Sequence, residues 1–103
     1  MLIFRNVIGF DWDAGNARKS EEKHGVSQAE AEQVFFNQPL VVQADARHSS
    51  HEPRFHALGI TDGRRRLHIT FTLRDNGRKI RVISARPMSR KERRIYDEHA
   101  EKG

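Results

Sequence analysis

The chain has 103 residues and no cysteine, which leaves one domain, no disulfide framework and no thiolate metal site. No apolar run approaches the ~20 residues that span a bilayer, and the first four residues lack the regions of a signal peptide, so a cytoplasmic protein with no membrane partner is expected. The net charge of +5 is uneven: residues 1–52 hold 5 Lys/Arg against 8 Asp/Glu, residues 53–103 hold 14 against 6. A basic C-terminal half points to a polyanionic partner, with a solvated basic face as the plainer alternative.

In chain order, Val7 to Trp12 reads as a first strand, and Asp13 is placed to N-cap the next segment. Ala14 to Lys23 reads as a polar helix weakened by Gly15 and Asn16, and Gly25 suits a left-handed helix end. Ser27-Gln28-Ala29-Glu30 is a capping box that opens a helix over Gln28 to Phe36. Ala31, Val34 and Phe35 form its buried stripe, and Asn37-Gln38-Pro39 stops it.

Leu40 to Ala44 is a short strand, the polar stretch 45–53 a loop, and Arg54 to Ile60 the next strand. Leu67 to Leu73 alternates, with Leu67, Ile69, Phe71 and Leu73 on one face and His68, Thr70 and Thr72 on the other. Asp75-Asn76-Gly77 carries a hairpin signal and joins it to a strand over Lys79 to Arg86. In that strand Ile80, Val82 and Ser84 point one way; Arg81, Ile83 and Ala85 point the other. Pro87 ends it, and Ser89-Arg90-Lys91-Glu92 caps a basic helix from Arg90 to about Ala100, with the last three residues fraying. The order β-α-α-β-β-β-β-α gives a small α+β domain. It has an antiparallel sheet of about five strands, two N-terminal helices on one face and a C-terminal helix.

The chemistry is cationic. Arg54 opens a strand, Arg81 lies mid-strand, Arg86 ends that strand, and Lys79, Arg90, Arg93 and Arg94 surround the strand-to-helix corner. Clustered guanidinium groups suit phosphate because each presents a planar fork of donors. Six histidines are scattered without metal-ligand spacing, so no metal and no cofactor are expected. His24 closes the first helix, and imidazole suits proton transfer near neutrality. A histidine with several arginines and no metal fits RNA cleavage by the neighbouring 2′-hydroxyl. That reaction needs a base, an acid and cations for the charge on phosphorus. The plainer readings stand beside it: His24 as a helix-end residue favoured by the dipole, Arg86 paired with Glu92, Tyr96 as a core ring with a wet hydroxyl.

Several pieces, in order, resemble the BrnT family of bacterial toxin ribonucleases. They are Phe10-Asp11-Trp12-Asp13, then Lys23-His24-Gly25-Val26-Ser27, then Ala31 to Phe35, then Arg54-Phe55 with Gly59. Arg81-Val82-Ile83-Ser84-Ala85-Arg86 follows, then Glu92-Arg93 with Tyr96. The resemblance implies a RelE-like fold over the single domain 1–103 and an endoribonuclease toxin of a type II toxin–antitoxin pair that arrests translation. It implies a BrnA-like ribbon-helix-helix antitoxin in a 2:2 complex, with operator DNA reached only through that partner. The expected catalytic set is His24, Arg54, Arg81, Arg86 and Tyr96; Lys79, Arg90, Arg93 and Arg94 face RNA or antitoxin. The rival is a non-catalytic nucleic-acid-binding module that uses the same basic face.

Overall fold

Side-chain caps set the three helix starts. At Asp13 the carboxylate accepts from the Asn16 N–H (3.0 Å) and the Asp13 N–H donates to the Asn16 amide oxygen (2.7 Å). Ser27 with Glu30 and Ser89 with Glu92 repeat the box. Each satisfies two donors that the first turn leaves without partners. The computed structural model describes residues 2–48 and 51–102. It has strands β1 (Gly9–Phe10), β2 (Val41–Ala44), β3 (Arg54–Ile60), β4 (Arg66–Arg74) and β5 (Lys79–Pro87). Its helices are α1 (Ala14–His24), α2 (Gln28–Val34) and α3 (Arg90–Lys102). The expected loop 45–53 includes residues 49 and 50, which lie outside the described residues, as does Gly103.

The sheet order is β1-β5-β4-β3-β2. β2 to β5 form the expected antiparallel meander, but β1 runs parallel to β5, so the sheet is mixed. β1 is also shorter than the strand expected over Val7 to Trp12. Only Gly9 and Phe10 pair, flanked by Ile8 N–H to Arg78 C=O (2.7 Å) and Asp11 N–H to Ile80 C=O (2.8 Å). The chain then turns at the Asp13 cap, and α1 takes over the edge of β5. The Asn16 amide donates to Val82 C=O (3.0 Å) and Asp11 C=O (3.1 Å), and the Ala85 N–H donates to the Ser20 hydroxyl (2.9 Å). Asn16 and Ser20 are buried, so Asn16, which weakens α1 in propensity, bonds the sheet edge instead, and Ser20 does the same. Gly25 ends α1 at φ 64°, as a left-handed cap requires.

α2 is shorter than expected. It ends at Val34, with Phe35 as its cap and Phe36 exposed. Val26, Ala31 and Val34 come down on Ala57, Leu67, Ile69, Phe71, Ile80, Val82 and Ala85 to make the core. Gly59 lets α2 approach β3 closely: a Cβ there would collide with Val34 Cγ1. α3 lies over part of the opposite face, where Tyr96 is buried and its hydroxyl donates to Pro39 C=O (2.7 Å).

One irregularity decides which side chains share a face. Thr70 pairs with Ser84 but Phe71 pairs with Val82, which leaves Ile83 as a bulge. Strict alternation would set Arg81 with Ala85, and Arg86 with Ile80 and Val82. The extra residue flips the pattern. Ala85 joins Ile80 and Val82 in the core, and Ser84 and Arg86 turn to the face that carries Arg81.

Candidate nucleic-acid interface

The face away from the core is built in rows by strand register. Arg54, Thr72 and Arg81 stand opposite one another on β3, β4 and β5. Beside them run Gln43, His56, Thr70 and Ser84, then Val41, Leu58, His68 and Arg86. Neighbouring strands are about 4.8 Å apart, so Arg54 and Arg81 are close to 10 Å apart at the backbone. Three of the expected site residues are thereby brought to one surface.

Arg81 and Arg86 are each held by acid. Arg81 donates to Asp13 (2.9 Å) and lies 3.5 Å from Asp11. These partners raise its pKa, the hydrogen bond to Asp13 contributing most. It lines a shallow depression with Lys19, Gly15 and Asn16. Arg86 makes a bidentate pair with Glu92 (2.8 and 2.9 Å), the pairing that the sequence left open. Burial works against the Glu92 carboxylate, but the Arg86 fork and the Ser89 N–H outweigh it and bring its pKa to about 2.

The structure adds two imidazoles that the sequence left scattered. His56 and His68 lie 5.0 Å apart between ring centres. His56 Nε2 lies 2.8 Å from Asp45 Oδ2, and its Nδ1 lies 3.1 Å from the Thr70 hydroxyl. His48 contacts the same carboxylate at 3.0 Å. The hydrogen bond from His56 is the largest cause of the low Asp45 pKa, about 2. His68 is buried, and its Nδ1 has no hydrogen-bond partner among the described residues. Both rings line a pocket of about 350 Å³ with Val41, Gln43, Leu58 and, from α3, Lys91, Glu92 and Ile95. Parity within β3 and β4 was the signal that finds them: His56 shares a face with Arg54, and His68 with Thr70.

The other expected residues lie elsewhere. His24 is exposed in the last turn of α1; the Arg65 guanidinium bonds the adjacent Gly25 C=O (3.0 Å). Neither the pocket nor the network above includes His24. Tyr96 anchors α3 through Pro39, so its hydroxyl already donates within the fold. Lys79, Arg90, Arg93 and Arg94 are exposed at the start of β5 and along α3. A separate hollow beside β1, lined by Phe4, Val7, Ile8, Phe10, Phe35, Phe36 and Ile80, is apolar and offers nothing to phosphate. No group of three metal-ligating side chains converges among the described residues. Among the described residues, no helix is long and apolar enough to cross a membrane.

A family model described as the ribonuclease toxin, BrnT, of type II toxin–antitoxin systems matches residues 12–92. The chain belongs to the BrnT family. A type II pair has a protein antitoxin, so this toxin has a protein partner. The fold is similar to the crystal structure of the Brucella abortus ribonuclease toxin BrnT, with a TM-score of 0.57 and 20% identity. That match covers 82% of this chain and 100% of the other. None of the curated proteins compared with this BrnT-family chain matches it.

Burial first, then the Arg86 charge, push the His68 pKa down from 6.5 to about 4. Between those values the unfolded chain binds the extra proton, so stability rises with pH across the window and is fully present above 6.5. The expected result is a melting temperature that falls as pH drops from 6.5 to 4, through the loss of about 2–3 kcal/mol. His68→Gln should flatten that slope in a pH series of thermal melts. An unchanged slope in the folded variant contradicts the assignment.

Proposed function

We propose that this toxin cuts RNA on the open sheet face by attack of a 2′-hydroxyl on the adjoining phosphate, without a metal ion, and thereby arrests translation. The observation that carries the reading is the Ile83 bulge, which sets Arg54, Arg81 and Arg86 on one surface. Those guanidiniums meet the phosphate and the charge that builds on it during attack. The acidic partners of Arg81 and Arg86 hold those two forks in place until phosphate oxygens compete for the same donors. Exposed Lys79 extends the track for the RNA backbone. His24 and Tyr96 stay outside the reacting group in this reading, Tyr96 acting through the position of α3. Cleavage of purified RNA should proceed unchanged in EDTA. Loss of activity on chelation, with recovery in Mg²⁺, contradicts the metal-free mechanism. A folded protein that binds RNA and leaves it whole is instead a non-catalytic binding module.

The partner in this reading is a ribbon-helix-helix antitoxin that joins two toxins and two antitoxins and carries the complex to operator DNA. Its acidic segment docks on Arg90, Arg93 and Arg94, which project from α3 into solvent. Reversing two of these charges should slow association and weaken binding, and the loss should be salt-sensitive, shrinking as salt screens the charges. Affinity that ignores both the reversal and the salt places the docking surface elsewhere.

A further inference from the structure

We propose that His56 is the general base for the attacking 2′-hydroxyl, with Asp45 as its positioning residue. This rests on the RNA-cleaving reading above and adds the group that moves the proton. His56 occupies the middle row of the open face, two residues along β3 from Arg54 and beside the row that ends in Arg86. Its side chain is 37% exposed, whereas that of His68 is 11% exposed, so His56 is the ring that substrate can reach.

A carboxylate on one imidazole nitrogen fixes the tautomer. Asp45 Oδ2 lies 2.8 Å from His56 Nε2, so Nε2–H donates and Nδ1 is left as the acceptor. In the free protein Nδ1 faces the Thr70 hydroxyl at 3.1 Å. An RNA hydroxyl takes that place in the complex. The charged and titratable groups around the ring come from every neighbouring element. Asp45 and His48 lie after β2, Arg54 on β3, His68 on β4, Arg86 on β5, and Lys91 and Glu92 on α3. His68 stays neutral at pH 7, because burial and then Arg86 bring its pKa to about 4, so it is not the proton donor.

The step balances within RNA and water. His56 Nδ1 takes the proton from O2′, and O2′ bonds to phosphorus as the P–O5′ bond breaks. The products are a 2′,3′-cyclic phosphate and a free O5′ that takes a proton from water, and Nδ1 returns its own proton to solvent. Arg54 and Arg86 flank the ring on the same face and stabilise the charge on the phosphoryl oxygens.

Single-turnover cleavage of a labelled RNA, measured across pH beside RNA binding, tests this for His56→Gln and Asp45→Asn. His56→Gln should slow cleavage by about 10²–10⁴-fold while binding stays near wild type. Asp45→Asn keeps the ring but removes its carboxylate. Its rate should fall less, and the acid limb of its pH profile should move to lower pH, since the imidazolium loses a counter-charge. A folded His56→Gln protein that cleaves at the wild-type rate overturns the inference and leaves the ribonuclease reading standing. An unmoved pH profile in folded Asp45→Asn overturns it as well. A wild-type protein that binds RNA without cutting it removes both.

Discussion

Replacing Arg81 or Arg86 by alanine is expected to abolish growth arrest and to slow RNA cleavage by about 10²–10³-fold, while the domain stays folded. Both side chains lie on the open face, at opposite ends of the bulged half of β5. The Arg81 side chain is 21% exposed and that of Arg86 35%, so each is reachable by substrate yet held by its partners. The acidic partners complicate the two variants differently. Arg81→Ala leaves Asp13, which still caps α1 through Asn16. Arg86→Ala leaves Glu92 with the Ser89 N–H and, 3.9 Å away, His68. Part of its effect is therefore a carboxylate that has lost its main counter-charge. Arg86→Lys separates the terms: it keeps the charge and loses the bidentate fork, so activity should recover little while stability recovers more. Growth assays, denaturation curves and cleavage rates together check the expectation. Full toxicity in a folded Arg81→Ala/Arg86→Ala protein contradicts it.

The largest expected effect on stability is at Phe71. Its side chain is fully buried, and its ring contacts those of Phe35 (5.1 Å), Phe55 (5.3 Å) and Phe4 (5.9 Å). Phe71→Ala removes the contacts of all three and leaves a cavity under α2, at a cost of about 3–5 kcal/mol. Small domains are stable by only ~5–15 kcal/mol, so the variant should sit near its unfolding midpoint in mild denaturant. Phe71 also pairs with Val82 beside the bulge, between Thr70 and Thr72. Loosening it should disturb the rows that hold His56, Arg54 and Arg81, and activity should fall with stability. A denaturation midpoint within experimental scatter of wild type contradicts this picture of the core.

Much of the fold is legible in local chemistry. The caps at Asp13, Ser27 and Ser89, the left-handed Gly25 and the turn at 75–77 each depend on a few adjacent residues. Where a feature depends on a partner far along the chain, the sequence is silent. β1 holds only two paired residues because Asn16 and Ser20, within α1, take the β5 edge that a longer strand would use. The bulge is invisible because Ile83 and Ser84 fit simple alternation as well as they fit the true register. Missing it assigns Arg86 to the core side, although proximity along the chain still groups it with Arg81. His56 and His68 are twelve residues apart, and only the pairing of β3 with β4 sets their rings side by side. His24 is the converse: a conspicuous residue beside a capping glycine that the fold leaves exposed at a helix end.

The most direct test of the central claim is the chemistry of the new RNA ends. Purified toxin, freed of its antitoxin and incubated with a defined RNA in EDTA, should leave 2′,3′-cyclic phosphate at one terminus and a 5′-hydroxyl at the other. Those groups follow from attack by the adjoining 2′-hydroxyl on a phosphate held at Arg54, Arg81 and Arg86. Products bearing a 3′-hydroxyl and a 5′-phosphate, or cleavage only when Mg²⁺ is added, would contradict it.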